Sequence, residues 1–272
     1  MTIFLGILLV AALAAVLWTR RQGSTRARLL ATPLTDHERA VVAQQVPLTR
    51  RLPAEFREGF EGRINRFRDQ VDFIGCDGLD VTEEMELSIA AQAALLVVGS
   101  GAWYDTLRTV LIYPGAFTSQ RTEHNGYVVT RRQVARTGES WARGPVVLSW
   151  AHSRQGAMNE RDGHNVVFHE FAHQLDALSG QTDGVPVLAR DQSYADWDRA
   201  FATAYARHVR QVQAGHRTVI DPYGAEGREE FFAVLVEAFF EKPGTLRREE
   251  PAIYDQMSRL FRLSPDEWPV RG

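Results

Sequence analysis

Two histidines and a glutamate stand in the order His169-Glu170-x-x-His173 within the stretch from Val166 to Asp176. On a helix this spacing has a chemical meaning. At 3.6 residues per turn the two histidines share a face, roughly 6 Å apart along the axis, and each can turn a nitrogen towards one cation at about 2.0–2.1 Å. Glu170 is rotated by about 100° from His169, so it stays off the cation but reaches a water beside it, where a general base belongs. The flanking Val166, Val167, Phe168, Phe171, Ala172 and Leu175 are apolar nearly all round the helix, as burial requires, and Gly180 supplies a stop. Two histidines and a carboxylate are costly to bury without partners, and a zinc ion is such a partner. The competing reading is a helix whose histidines are hydrogen-bonded residues of core or surface.

A catalytic zinc takes three protein ligands and leaves one position open. Downstream, Asp176, His208, His216, Asp221, Glu226, Glu229, Glu230 and Glu237 have the right chemistry. Asp176 follows His173 too closely for tetrahedral geometry and suits acceptance of an imidazole N–H instead. His208 falls on a long helix as a packed or exposed residue. Glu230 opens an apolar helix where a carboxylate has little other reason to be, and Glu237 lies two turns further along the same face. Spacing leaves both glutamates open as the third ligand.

The elements that must position these groups are mostly helical. Thr35 or Asp36 caps a helix running to about Val46. Pro53 opens another, with Phe56, Phe60, Ile64 and Phe67 on one stripe. Thr82 caps a third, with Glu83 and Glu84 in its first turn, ending at Gly99. Three β runs follow: Thr109 to Tyr113, Tyr127 to Thr130, and Pro145 to Trp150. The last precedes the histidine helix by a short connection, and as a cleft-lining strand it would pair with an extended peptide; it is equally an ordinary sheet strand. Ser193 caps a helix to about Ala214 carrying Trp197, Phe201, Tyr205 and Val209. A turn at Asp221 to Gly227 leads to the helix from Glu229 to Phe240, and Pro251 to Leu263 forms the last helix.

The 272 residues make one large domain or two small ones, and the mixture of apolar and charged residues is that of a globular protein. A net charge of −3 gives no general attraction to nucleic acid. The single cysteine, Cys76, excludes an intrachain disulfide and reads as a small buried hydrophobe. Residues 3–18 carry no charge, and Arg20, Arg21, Arg26 and Arg28 follow them. Residues 1–19 are at the short end of the roughly 17–25 needed to span a bilayer. With no basic residue before the run and all the arginines after it, the reading is a single-pass anchor, not a cleaved signal peptide, with the body in the cytoplasm at the inner membrane. A docked apolar helix on a cytoplasmic protein is the alternative. Residues 20–32 form a basic linker at the headgroups, and 33–272 the catalytic domain.

Several segments together resemble the Mlc titration factor A (MtfA) family of zinc-dependent peptidases: Thr109 to Pro114, Gly144 to Trp150, His169 to Asp176, Asp221-Pro222-Tyr223 and Glu230 to Leu235. Tyr223 and Glu230, seven residues apart and followed by Phe-Phe-Ala, are also similar to the catalytic domain of anthrax lethal factor. The resemblance implies an α+β, zincin-like metallopeptidase domain, helix-rich with a small mixed sheet. It implies Zn2+ held by His169, His173 and Glu230, Glu170 as the catalytic carboxylate, and Tyr223 as the partner of the transition state. Peptides or proteins are the implied substrates. The family is also known for sequestering a glucose-responsive transcriptional repressor, so a regulator-binding role separable from catalysis is the second expectation. Cytosolic family members lack the apolar N-terminal run, so the anchor rests on this sequence alone.

Overall fold

Three helices have no solvent-facing side over most of their length, and their sequences explain why. In a computed structural model, which describes residues 21, 23–125, 128–136, 138–140 and 144–269, residues 23–31 form α1 and α2 spans Asp36–Gln45. Helix α3 spans Ala54–Gln70 and α4 spans Glu83–Val97. Every residue of α4 from Leu87 to Val97 is buried, which its run of Ala, Leu, Ile and Val permits. Further along, α5 (Trp150–Met158), α6 (Val166–Asp176) and α7 (Tyr194–Gln213) precede α8 (Arg228–Glu241), which is buried from Phe231 to Glu241. The chain closes with α9 (Pro243–Glu249) and α10 (Pro251–Phe261).

Helix α4 packs between α3 and α6, and α6 packs in turn on α8. Aromatic edges fill the joints: Phe171 meets Phe67 at 5.5 Å and Tyr104 at 5.1 Å between ring centroids, and Phe168 meets Phe240 at 5.1 Å. Such rings are worth several kcal/mol each when fully buried, about 3–5 by truncation to alanine. They fix the histidine helix from behind.

The strands are β1 (Asp72–Gly75), β2 (Thr109–Tyr113), β3 (Phe117–Asn125), β4 (Val128–Arg136), β5 (Gly138–Ser140) and β6 (Val146–Ser149). A four-stranded sheet has the order β1-β2-β6-β5. The first three are parallel, and β5 runs antiparallel to β6, with Gly138 opposite Leu148. Strands β3 and β4 make a separate antiparallel hairpin. The molecule is therefore helix-rich with a small mixed sheet.

Local capping signals hold well. Thr35 and Glu38 complete a capping box on α2, and Thr82 accepts from the Met85 N–H on α4. The 3-10 turn Ala177–Ser179 ends at Gly180 with φ +94°, a conformation glycine reaches without strain. Other expectations are corrected. The connection before α6 contains a whole helix, α5. The strand at 145–150 is flanked on both sides, by β2 and β5, so it offers no free edge to a peptide. The three-residue β5 holds the edge instead. Helix α9 follows α8 directly, because Pro243 sits at a helix first turn, where a missing N–H costs nothing. Cys76 is half-buried rather than buried. The basic stretch at 20–32 is helical over 23–31. The anchor at 1–19 and Tyr127 lie outside the described residues; among those described, no helix is long and apolar enough to cross a membrane.

Candidate metal centre

Helix α6 begins at Asn165, whose side-chain oxygen accepts from the N–H groups of Val167 and Phe168 at 3.1 Å each. That cap is itself held from α8. The Asn165 backbone N–H donates to Glu237 Oε2 at 2.5 Å, and its side-chain amide donates to Glu241 Oε1 at 3.1 Å. The Gly163 N–H donates to Glu241 Oε2 at 2.9 Å. Glu230, Glu237 and Glu241 form one stripe along α8, since intervals of seven and four residues both return close to the same face. The apolar remainder of that helix is core. The stripe is its contact with the histidine helix.

At the open end of the stripe, Glu230 Oε2 lies 3.0 Å from His169 Nε2 and 3.4 Å from His173 Nε2. One donor atom from each of the three residues falls within 4.8 Å of the others. Two imidazole nitrogens and a carboxylate oxygen make the donor set of a catalytic zinc site, so the residues present fit the ion. Glu237 Oε1 lies 2.8 Å from His169 Nδ1, on the far side of the ring. The two glutamates left open by spacing thus sit on opposite nitrogens of one histidine. Burial opposes charge on His169, and the Glu230 and Glu237 carboxylates overcome it and raise its pKa well above the ordinary value. Burial also works against charge on Glu230, but His169 and His173 hold its carboxyl well below the usual range.

Tyr223 lies on the 3-10 turn Pro222–Ala225, where Asp221 caps the Tyr223 N–H at 2.8 Å. Its hydroxyl donates to Glu230 Oε1 at 3.3 Å, and its ring, 42% exposed, stands 5.9 Å from that of His169. Gly224 lets this turn approach α8: a Cβ there would come 2.8 Å from Val234 Cγ2 and 3.3 Å from His208 Nε2. His208 is buried beneath the turn and away from the histidine pair. Asp176 departs from expectation, because its Oδ2 accepts the Gly184 N–H at 2.8 Å. His173 Nδ1 and Asp176 Oδ1 have no hydrogen-bond partner among the described residues. Burial pushes the Asp176 carboxyl up to about 6.

Glu170 is buried at 5% exposure, and β5 covers it. A Cβ on Gly138 would lie 2.4 Å from Glu170 Oε1 and 2.6 Å from Val166 Cγ2, so no side chain fits there without displacing the carboxylate. Gly138→Val is therefore expected to leave metal uptake by the His169, His173 and Glu230 cluster unchanged and to cost up to about 10²-fold in any reaction that uses the Glu170 carboxylate, the cost of misplacing a reacting group by an ångström. Parallel metal and activity assays check this; unchanged rates would mean that β5 yields.

Glu241, Gly138 and the Asn165 cap escape a reading of the sequence. Asn before an apolar helix is a cap signal, and Glu241 continues the 230/237 stripe by one turn, so both had a legible cue. Three residues of Gly-Glu-Ser give none. Burial pushes the Glu241 carboxyl up to about 9; its bond from Asn165 opposes this, while nearby Glu237 and Asp162 add to it. The native state then holds a proton that the unfolded chain releases near 4.5. The resulting stability is complete below that value and is lost as pH rises through about 9. Urea unfolding should show a decline of a few kcal/mol between about pH 5 and about pH 9, at about 1.4 kcal/mol per pKa unit as an upper bound. Glu241→Gln should remove the slope and, by swapping an acceptor for a donor, cost about 1–3 kcal/mol throughout.

Residues 17–262 match the sequence profile of a family described as glucose-regulated metallo-peptidase M90. An uncharacterized protein of Synechocystis is 40% identical over 241 residues, 88% of each chain. Mlc titration factor A of Yersinia pestis is 32% identical over 227 residues, 82% of this chain and 83% of that one. The protein of the same name from Yersinia pseudotuberculosis matches to the same extent.

Proposed function

The chain belongs to the glucose-regulated metallo-peptidase M90 family, and from that premise we propose that it hydrolyses peptide bonds at a zinc centre held by His169, His173 and Glu230 in a zincin-like domain over residues 33–272. The observation that carries this reading is the convergence of those three side chains within 4.8 Å of one another, next to the buried Glu170. Zinc bound there would supply Lewis-acid polarisation and lower the pKa of water towards about 7. Glu170 takes the proton from the attacking water and passes it to the leaving amine. The Tyr223 hydroxyl, hydrogen-bonded to Glu230 in the structure, turns to donate to the developing oxyanion. Glu237 accepts the Nδ1 proton of His169 and so keeps Nε2 as the metal-facing atom. The edge of β5 that has no strand partner among the described residues aligns the substrate in extended form past Glu170.

The test is metal content together with cleavage of a peptide library, before and after chelation and after zinc is restored. Stoichiometric zinc with no cleavage of any peptide would sink the hydrolase reading. The name of the Yersinia relatives favours a second reading, capture of a transcriptional regulator. Capture that survives Glu170→Gln would separate the two roles. The anchor at 1–19, with the domain facing the cytoplasm, belongs to the same proposal, and protease accessibility of a C-terminal tag in spheroplasts tests it.

A further inference from the structure

The segment 185–189, between α6 and α7, bridges a cavity. Both its ends are tied down. The Gly184 carbonyl accepts the Trp197 indole N–H at 3.2 Å, the Ala189 N–H donates to Gln192 Oε1 at 3.2 Å, and Gln192 Nε2 donates to the Gln256 carbonyl at 3.0 Å. Between these anchors the chain is neither helix, turn nor strand, and Pro186 biases Val185 towards extended backbone. The main-chain groups of Val187 and Leu188 make no hydrogen bond among the described residues. Two consecutive residues of unpaired main chain form a short open edge, a template for another extended chain.

The cavity beneath this strap has a volume of about 730 Å³, inside the roughly 300–1,000 Å³ of ligand pockets. Three helix ends line it: Leu96 from α4, Leu175 from α6, and Leu260 and Phe261 from α10, none more than 8% exposed. Leu175 comes two residues after His173, about 200° round α6, so the cavity and the histidine pair occupy opposite faces of that helix. Charge at the lining is mainly positive, with Arg190 and Arg262 against one carboxylate, Asp105. Arg66 already faces Asp105 at 3.6 Å. Arg262 reaches Asp191 at 3.4 Å, with both side chains largely exposed. Arg190 has no carboxylate partner among the described residues.

The geometry points to a second binding site on the back of α6, one that takes the carboxyl terminus of a peptide ending in a large apolar residue. The terminal side chain fills the cavity, the carboxylate meets Arg190 and Arg262, and the peptide backbone pairs with Val187 and Leu188. An acyl chain with a carboxylate head would use the cavity and the arginines and leave the strap unpaired. A peptide terminus uses all three. The site does not depend on metal chemistry.

Calorimetric titration of the full chain tests the assignment with four probes: acetyl-Ala-Val-Leu as the free acid, its carboxamide, acetyl-Ala-Val-Ser, and decanoate. Mass spectrometry of the recovered peptides establishes that they stay intact. Saturable binding of the free acid is expected. The carboxamide should bind about tenfold more weakly or worse, the value of a charge-assisted hydrogen bond, and the serine peptide about tenfold more weakly through lost apolar burial. Arg190→Gln, at an exposed position, should match the carboxamide in its loss and take up metal like the parent protein, so that failure of this site and failure of the metal centre are told apart. Arg154→Gln, at an exposed position on α5, should change nothing. No saturable binding of the free acid, equal binding of the carboxamide, decanoate binding as tightly as the peptide, or full affinity in the Arg190→Gln/Arg262→Gln double variant overturns the assignment.

Discussion

Glu170→Gln is expected to retain its zinc and to lose about 10³-fold in peptide hydrolysis, inside the range of about 10²–10⁴ associated with general acid–base catalysis. The amide has the size of the carboxylate and sits in the same buried position under β5, so the packing around it is kept. What it cannot do is accept a proton. A 10³-fold loss corresponds to about 4 kcal/mol of transition-state stabilisation. The measurement is kcat on an oligopeptide substrate, with metal quantified on the same sample. A rate within a few-fold of the parent protein would remove Glu170 from the mechanism and leave the metal centre standing.

Glu230→Ala should abolish activity by a different route, through loss of the metal. It removes the carboxylate that lies 3.0 Å from His169 Nε2 and 3.4 Å from His173 Nε2, leaving two imidazoles to hold a cation that prefers three protein ligands. Glu237→Gln is the graded comparison. It disturbs the outer nitrogen of His169, and changes of that kind typically cost about 10–100-fold in metal affinity. Competition against a chromophoric chelator should therefore rank the parent protein above Glu237→Gln, and Glu237→Gln above Glu230→Ala by a wide margin. A reversed order of the two variants would assign the third ligand to Glu237. Near-ultraviolet dichroism distinguishes metal loss from unfolding.

The contrast between those two glutamates also marks how far a sequence can be read. Both lie on one face of α8 because seven residues make almost two turns, and periodicity cannot choose between them. Their separation along the axis, about 10 Å, decides which nitrogen each meets, and it becomes visible only when α6 is docked. Helices α2 to α4, α6 to α8 and α10 were legible, whereas α1, α5 and α9 were not. Thr35, Pro53, Thr82 and Ser193 announce their own elements through local chemistry, and the apolar run around His169 announces a buried one. Short elements were not. Strand β5 exists because β6 offers it hydrogen bonds, and nothing in Gly138-Glu139-Ser140 favours a strand. Asp72 to Gly75 is likewise an edge strand whose partner lies more than thirty residues away in the chain. Of the two readings left open for the strand at 145–150, the ordinary sheet strand holds, because β2 and β5 flank it.

The stripe of Glu230, Glu237 and Glu241 makes length as important as identity in α8. Inserting or deleting a single residue between 230 and 241 would swing everything beyond it by about 100°, so that the cap of the histidine helix and the metal-facing carboxylate could no longer be served together. Conservative exchanges at the core positions of this segment should be tolerated one at a time, whereas a one-codon indel should abolish folding and metal uptake in the same stroke. A scan of single-residue insertions along α8 would show a sharply bounded intolerant window, opening after the first carboxylate and closing at the third.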